Sequence, residues 1–228
     1  MKKISYSKQT LETPNPIARF AHKKRYEFSF RKTLQFLNRN GVLLDYGCGK
    51  GDFLNRISDL RPSTILYGFD PESGHASEKY DIISNIKNID DQAINVVCCF
   101  ETLEHLYEHE RANFYSETKR MLSNSGIVII SVPIIGGLTL LFKEINRMML
   151  FKRKSEYTVK ELLLSSLFGK PAQKPENPRL THKGFDFSEV EKELRSNFKL
   201  IEKSYSPFPM FPWWQNSQVF FVCSKQMV

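Results

Sequence analysis

No uninterrupted apolar run in this 228-residue chain reaches the about 18 residues that a membrane-spanning helix needs. The first ten residues, MKKISYSKQT, lack the apolar segment of a secretory signal, so the chain is expected to stay in the cytoplasm. Cysteine is sparse. Cys48, Cys98, Cys99 and Cys223 show no metal-ligand spacing and read as reduced, small apolar side chains. Internal repeats and low-complexity tracts are lacking. Acid is in deficit, with 25 Asp and Glu against 33 Lys and Arg, a net charge of +8. That excess is dispersed. Its densest clusters, 23–25 and 152–154, lack the interleaved aromatics of single-strand binding surfaces, so DNA is not an expected partner and RNA is disfavoured.

Glycine is also uncommon, at 11 residues, yet three of them fall at Gly47, Gly49 and Gly51. They follow the apolar run Val42–Asp45, which suits a buried parallel strand. Glycine there permits a tight turn and close approach of the backbone to a ligand. Residues 52–57 continue with helical spacing, so a strand, turn and helix build a nucleotide site at the end of a strand. A dinucleotide fingerprint would space the glycines G-x-G-x-x-G; here the pattern is G-x-G-x-G, with Asp45 two residues before it.

Further along, the patterning alternates: a helix over 17–38, strands at 42–46 and 65–69, a short strand near 80–84, strands at 95–100 and 126–132, and helices at 51–59 and 109–122. Such alternation implies parallel βαβ units. Cys98 and Cys99, adjacent on a strand, should face opposite sides of the sheet. The segment 71–80 is short and looks trimmed, and 1–15 reads as a loose arm. Leu138, Leu141, Phe142, Ile145 and Met149 make one stripe of an amphipathic helix, followed by a proline-rich loop at 171–178. That helix either packs over a substrate mouth or, through 138–154 with its basic residues, touches an anionic membrane peripherally. Residues 187–198 read as a helix with Ser188 as N-cap and Glu191 three residues on, and two strands close the chain at 199–205 and 218–223.

These segments, in order, resemble the class I S-adenosylmethionine (SAM) methyltransferases. DYGCGKG at 45–51 is similar to their first motif, Asp70-Pro71 ends a second strand, and ETLEHL at 101–106 is very like their E-x-L-E-H. Residues 121–133 follow their glycine, apolar strand and proline pattern. The resemblance implies an α/β fold: a Rossmann-like, doubly wound, seven-stranded, mostly parallel sheet with an antiparallel C-terminal hairpin, order 3-2-1-4-5-7-6. It implies one SAM-methyltransferase domain over 1–228, with 1–40 as arm and cap helix and 134–186 as a substrate-side insertion or lid.

By the same resemblance, Asp45 orders the turn and the methionine end, and Gly47, Gly49 and Gly51 let SAM lie on the backbone. Asp70, with Pro71, takes the ribose. Asn85 and Ile86 stand where the family bonds the adenine, with Asn85 replacing the usual acid. Phe100 and Glu101 are expected beneath the methyl group. His22, Arg25 and Tyr26 are in reach of the methionine carboxylate, or are solvated charge beside one packed aromatic.

Glu101, Glu104 and His105 have two readings: helix-capping within the fold, or a divalent cation as in some quinone-pathway methyltransferases with a similar stretch. No obligatory metal is expected. The candidate catalytic residues are His182, Glu101 and His105, with His182 either a base for a hydroxyl acceptor or a fixer of its loop. The aromatic loop Phe208–Trp214 is either a secondary core or a wall of the acceptor pocket.

The expected activity is SAM-dependent methylation of a small molecule, a hydroxyl of a sugar or glycolipid intermediate. That acceptor rests on a likeness to bacterial methyltransferase-domain proteins associated with cell-surface polysaccharide clusters. An RNA or protein methyltransferase is the alternative, although the N-P-P-Y or D-P-P-Y tetrad of nucleic-acid amino-methylating enzymes is replaced by residues 100–103, FETL. A catalytically dead SAM-fold scaffold is the non-enzyme alternative, and the intact glycine turn argues against it.

Overall fold

The computed structural model describes residues 16–71, 77–151, 154–179 and 181–226. The expected loose arm at 1–15, most of the trimmed segment after Pro71 and the basic pair 152–153 lie outside them. In chain order the elements are α1 (Pro16–Phe36), β1 (Val42–Tyr46), α2 (Asp52–Leu60), β2 (Ile65–Phe69), β3 (Asp81–Ile83), β4 (Ile94–Phe100), α3 (Glu108–Met121), β5 (Leu122–Pro133), α4 (Gly137–Phe151), α5 (Val159–Phe168), α6 (Phe187–Asn197), β6 (Lys199–Ser206) and β7 (Gln218–Ser224).

The seven strands form one sheet in the order β3-β2-β1-β4-β5-β7-β6. Strands β1 to β5 pair in parallel, and β7 runs antiparallel between β5 and β6. The expected fold class is what the chain adopts. Helices α1 and α2 cover one face through Phe30, Leu37, Phe53 and Ile57, packed on Leu43, Val96 and Ile129. Helices α3 and α6 cover the other through Phe114, Val190 and Leu194, packed on Leu44, Val97 and Ile130. Strand alternation sends Cys98 to the first core and Cys99 to the second, as expected, and all four cysteines are free and buried.

Two local expectations need correction. Helix α6 is opened by Asp186, not Ser188: the Asp186 carboxylate accepts from the Ser188 backbone N–H at 2.8 Å, and Glu191 instead pairs with Arg195 and Lys203. An acidic side chain one residue before the first turn satisfies an orphan donor better than a residue already inside it. Helix α5 lies within 134–180, where the sequence pattern implies only the α4 stripe and a proline-rich loop. Its signal was present: Thr158 and Glu161 form a capping box, and Gly169 in the left-handed region ends the helix.

Helix α4 forms as an amphipathic helix. The helix packs inward through Leu140 and Glu144, both nearly fully buried, while Leu138, Phe142, Ile145 and Met149 of the apolar stripe point outward. Among the described residues no helix is long and apolar enough to cross a membrane.

Candidate active site

Parallel strands present their C-terminal ends to one edge, and the site lies there. The chain leaves β1 through Gly47, Gly49 and Gly51, all with positive φ, at 86°, 54° and 75°. The Gly47 N–H donates to the Phe69 carbonyl at 2.7 Å, which ties the turn to the end of β2. Gly49 N–H donates to Asp70 Oδ2 at 2.9 Å, so the acid at the tip of β2 is fixed beside the turn. Gly51 serves as N-cap of α2.

Below the turn, Asp45 is buried. Desolvation and then the neighbouring Asp70 push its carboxyl up to about 7.

A cleft of about 750 Å³ opens above this turn. Of the expected residues, Gly47, Gly49, Asp70, Pro71, Glu101 and His105 line it, joined by Tyr46, Phe69 and Thr102. Asn85 and Ile86 do not: the Asn85 side chain caps its own turn by accepting from Lys87 N–H at 3.0 Å, and Ile86 is buried in the core. A short polar side chain that can bond its own backbone two residues on does so at no ordering cost elsewhere. Phe100 packs edge-on against Phe53 at 5.2 Å, and Tyr26 packs edge-on against the same ring. These two belong to the wall under α1, away from the cleft lining.

Arg25 reaches from α1 across the strand ends. Its Nη1 donates to Glu101 Oε2 at 2.7 Å, and its Nη2 lies 2.8 Å from His22 Nδ1. Burial, then the charges of Arg25 and Lys143, push the His22 imidazole down to about 4, so it is uncharged beside the guanidinium. Glu101 sits at φ 51°, uncommon for a non-glycine residue and typical of strained functional positions. Its carboxyl also accepts from Gln218 Nε2 on β7. Burial raises the Glu101 carboxyl, against the pull of Arg25 and Lys143. Gln218 and Lys143 carry no sequence signal for this role, because their proximity to Glu101 comes from strand order and from the packing of α4.

The short turn after Glu101 brings Glu104 and His105 together. Glu104 is 2% exposed, and neither carboxyl oxygen has a hydrogen-bond partner among the described residues. Burial and then repulsion by Glu101 raise its carboxyl well above the usual carboxylate range. His182 comes down from the 171–186 segment until its Nε2 is 3.1 Å from His105 Nε2. Burial, then His105, Lys143 and Arg25, hold His182 down at about 4. One donor atom from each of Glu104, His105 and His182 lies within 4.8 Å of the others, a set that could hold a divalent cation.

His182 also lines a second, smaller pocket of about 90 Å³, roofed by Leu140, Lys143 and Glu144 of α4 and floored by Ile135 and Tyr157. The two cavities therefore meet at the His105–His182 contact. Arg179, from the same segment, closes the far rim of the large cleft by pairing with Glu110 at 2.5 Å. In the β6–β7 loop, Trp213 is wedged beside Gly136 and Gly169 and packs on Phe187, while Trp214 is more exposed. Trp213 thus packs against the main core.

The methyltransferase-domain family matches residues 20–160, more than half of the chain, and the chain belongs to that family. A protein of Mycolicibacterium smegmatis described as a probable S-adenosylmethionine-dependent methyltransferase is 29% identical over 98 residues, covering 40% of this chain and 37% of that protein. A counterpart in Mycobacterium tuberculosis is 28% identical over 98 residues, covering 40% of this chain and 35% of its own length. The match thus spans little more than a third of the length of these curated relatives.

Among solved structures, the PH0226 protein of Pyrococcus horikoshii superposes with a TM-score of 0.61 at 15% identity, over 98% of this chain and 100% of that one. Magnesium protoporphyrin IX methyltransferase (ChlM) of Synechocystis, solved with bound S-adenosylhomocysteine (SAH), superposes with a TM-score of 0.56 at 14% identity, over 94% of this chain and 89% of that one. At such identities the likeness speaks for the fold alone.

Proposed function

We propose that this chain transfers the methyl group of SAM to a hydroxyl of a small acceptor, a sugar or glycolipid intermediate, in the cytoplasm or at its membrane face. The observation that carries the reading is the meeting of the two cavities at the His105–His182 contact. The cleft fits SAM: an added Cβ at Gly49 would meet no atom within 4 Å, so backbone is bare to a ligand there, and Asp70 stands beside it. When bound, SAM supplies an electrophilic methyl group whose sulfonium carrier leaves as a neutral thioether.

The chain's own residues then have positioning and proton-handling tasks. Gly47, Gly49 and Asp70 hold the donor along the β1 turn. Arg25 and Gln218 fix the Glu101 carboxyl at the end of β4. Alignment in a water-poor site supplies much of the rate of such an in-line transfer. His182, uncharged at neutral pH, is the group placed to accept a hydroxyl proton on the acceptor side, and His105 fixes its ring. Lys143 and Tyr157 line the pocket that receives the acceptor.

Calorimetry with SAM and SAH tests the donor site: wild-type protein binds both, and Asp70→Ala combined with Gly49→Val binds neither. Wild-type protein that binds neither ligand would sink the proposal. A methyl-transfer screen over nucleotide sugars and lipid-linked glycans tests the acceptor. On any substrate it finds, His182→Gln lowers turnover by about 10²- to 10⁴-fold while SAH affinity is retained. Turnover unchanged in that variant assigns His182 to the loop instead.

A further inference from the structure

The apolar stripe of α4 faces away from the fold. Phe142 is 63% and Met149 74% exposed, while Leu140 and Glu144 hold the helix down. Neighbouring segments also expose large apolar side chains. Val159 and Phe168 of α5 are 76% and 71% exposed, and Met210 of the β6–β7 loop is 95% exposed. The segments adjoin: the Trp214 backbone lies against Gly137 at the start of α4, and Trp213 lies against Gly169 at the end of α5.

Among the described residues, seventeen large apolar side chains are exposed; five are on α4, four on α5 and four on the β6–β7 loop, thirteen in all. Exposed apolar residues scattered singly need no explanation, but a concentration of this kind marks an interaction surface.

Charge is concentrated in the same segment. Residues 137–175 hold eight Lys and Arg against three Glu, so +5 of the chain's net +8 is carried by 39 residues. Lys154 and Lys160 are both exposed beside the apolar side chains.

We infer that α4, α5 and the β6–β7 loop form a docking face for a bilayer surface rich in anionic lipid headgroups. Apolar side chains beside lysine and arginine suit the boundary between headgroups and acyl chains, and the charge adds attraction to anionic lipid. A second copy of the chain suits the surface less well. An isologous dimer would set this +5 segment against itself, and like charges across an interface are repulsive. Helix α4 also lines the small pocket through Leu140 and Lys143, so docking would hold a lipid-borne acceptor beside the helix that borders the His182 pocket. That last step alone rests on the proposed methyl transfer; the docking itself does not.

Flotation of the full chain with vesicles tests the inference. Phosphatidylcholine vesicles containing phosphatidylglycerol retain the wild-type protein, pure phosphatidylcholine retains much less, and added salt releases it. Lys154→Glu and Lys160→Glu each weaken retention about fivefold or more. Phe142→Ser combined with Met149→Ser abolishes it, while thermal unfolding and SAH binding stay at wild-type values. Retention of wild-type protein equal on both vesicles and blind to salt would overturn the inference. So would no retention at all, or a concentration-dependent dimer dissolved by the Phe142 and Met149 pair, or salt-sensitive capture of RNA without capture of vesicles. A chain that floats with anionic vesicles yet binds no SAH would defeat the proposed methyl transfer and leave the docking face standing.

Discussion

Alanine placed at Gly47 and at Gly49 should have different consequences, although the two positions are only two residues apart. Both glycines have positive φ, at 86° and 54°, so an L-residue at either pays about 1–2 kcal/mol of left-handed strain. At Gly47 the new Cβ would lie 2.1 Å from Thr102 Oγ1 and 2.7 Å from its Cγ2. Thr102 cannot turn aside cheaply, because its hydroxyl donates to the Phe100 carbonyl at 3.0 Å. Backbone must shift, at a further cost of about 1–3 kcal/mol. Gly47→Ala is therefore destabilised by about 2–5 kcal/mol.

At Gly49 the new Cβ meets nothing within 4 Å, so only the strain applies, about 1–2 kcal/mol. Its methyl group projects instead into the cleft and should weaken SAH binding about ten- to a hundredfold, the equivalent of about 1.4 kcal/mol per tenfold. Urea unfolding read by circular dichroism gives the stabilities, and calorimetry with SAH gives the affinities. Equal destabilisation of the two variants, or wild-type SAH affinity in Gly49→Ala, refutes the reasoning.

Asp45 sets a pH dependence. Its carboxyl is raised from 3.8 to about 7, so the unfolded chain gives up this proton first and the fold is penalised as pH rises from about 4 to about 7. At about 1.4 kcal/mol per pKa unit the penalty reaches at most about 4 kcal/mol; Asp45→Asn should flatten stability over that range, and identical pH slopes in urea titrations contradict it. Arg25→Met strips the guanidinium from a largely buried Glu101 and should cost about 3 kcal/mol, mostly recovered by adding Glu101→Gln. A double variant no more stable than the single one would count against the pairing. Trp213→Ala should lower stability by about 2–3 kcal/mol, since the ring packs on Phe187 and against Gly169, while Trp214→Ala stays within about 0.5 kcal/mol of wild type in thermal melts.

The strands, the glycine turn and the acid at the tip of β2 are legible because their signals are local, whereas the strand order follows from the family resemblance alone. An apolar run, a glycine spacing and an alternation of periods each span fewer than about twenty residues. Helix α5 has local signals of its own in the capping pair Thr158 and Glu161 and in Gly169. Asn85 shows a failure: its position in the motif pointed to a ligand, yet its own backbone was nearer.

What joins the site is not local. His105 and His182 are 77 residues apart, Arg25 and Glu101 are 76, and Gln218 and Glu101 are 117. Those contacts arise from strand order and from where the 171–186 segment returns, neither of which leaves a periodic trace. Helix α4 gives the plainest case. Periodicity shows that Leu138, Phe142, Ile145 and Met149 share one face, but a hydrophobic stripe carries no information about what it meets. Only the packing of Leu140 and Glu144 against the pocket turns that stripe outward, because a helix docked by one face must present the opposite one to its surroundings.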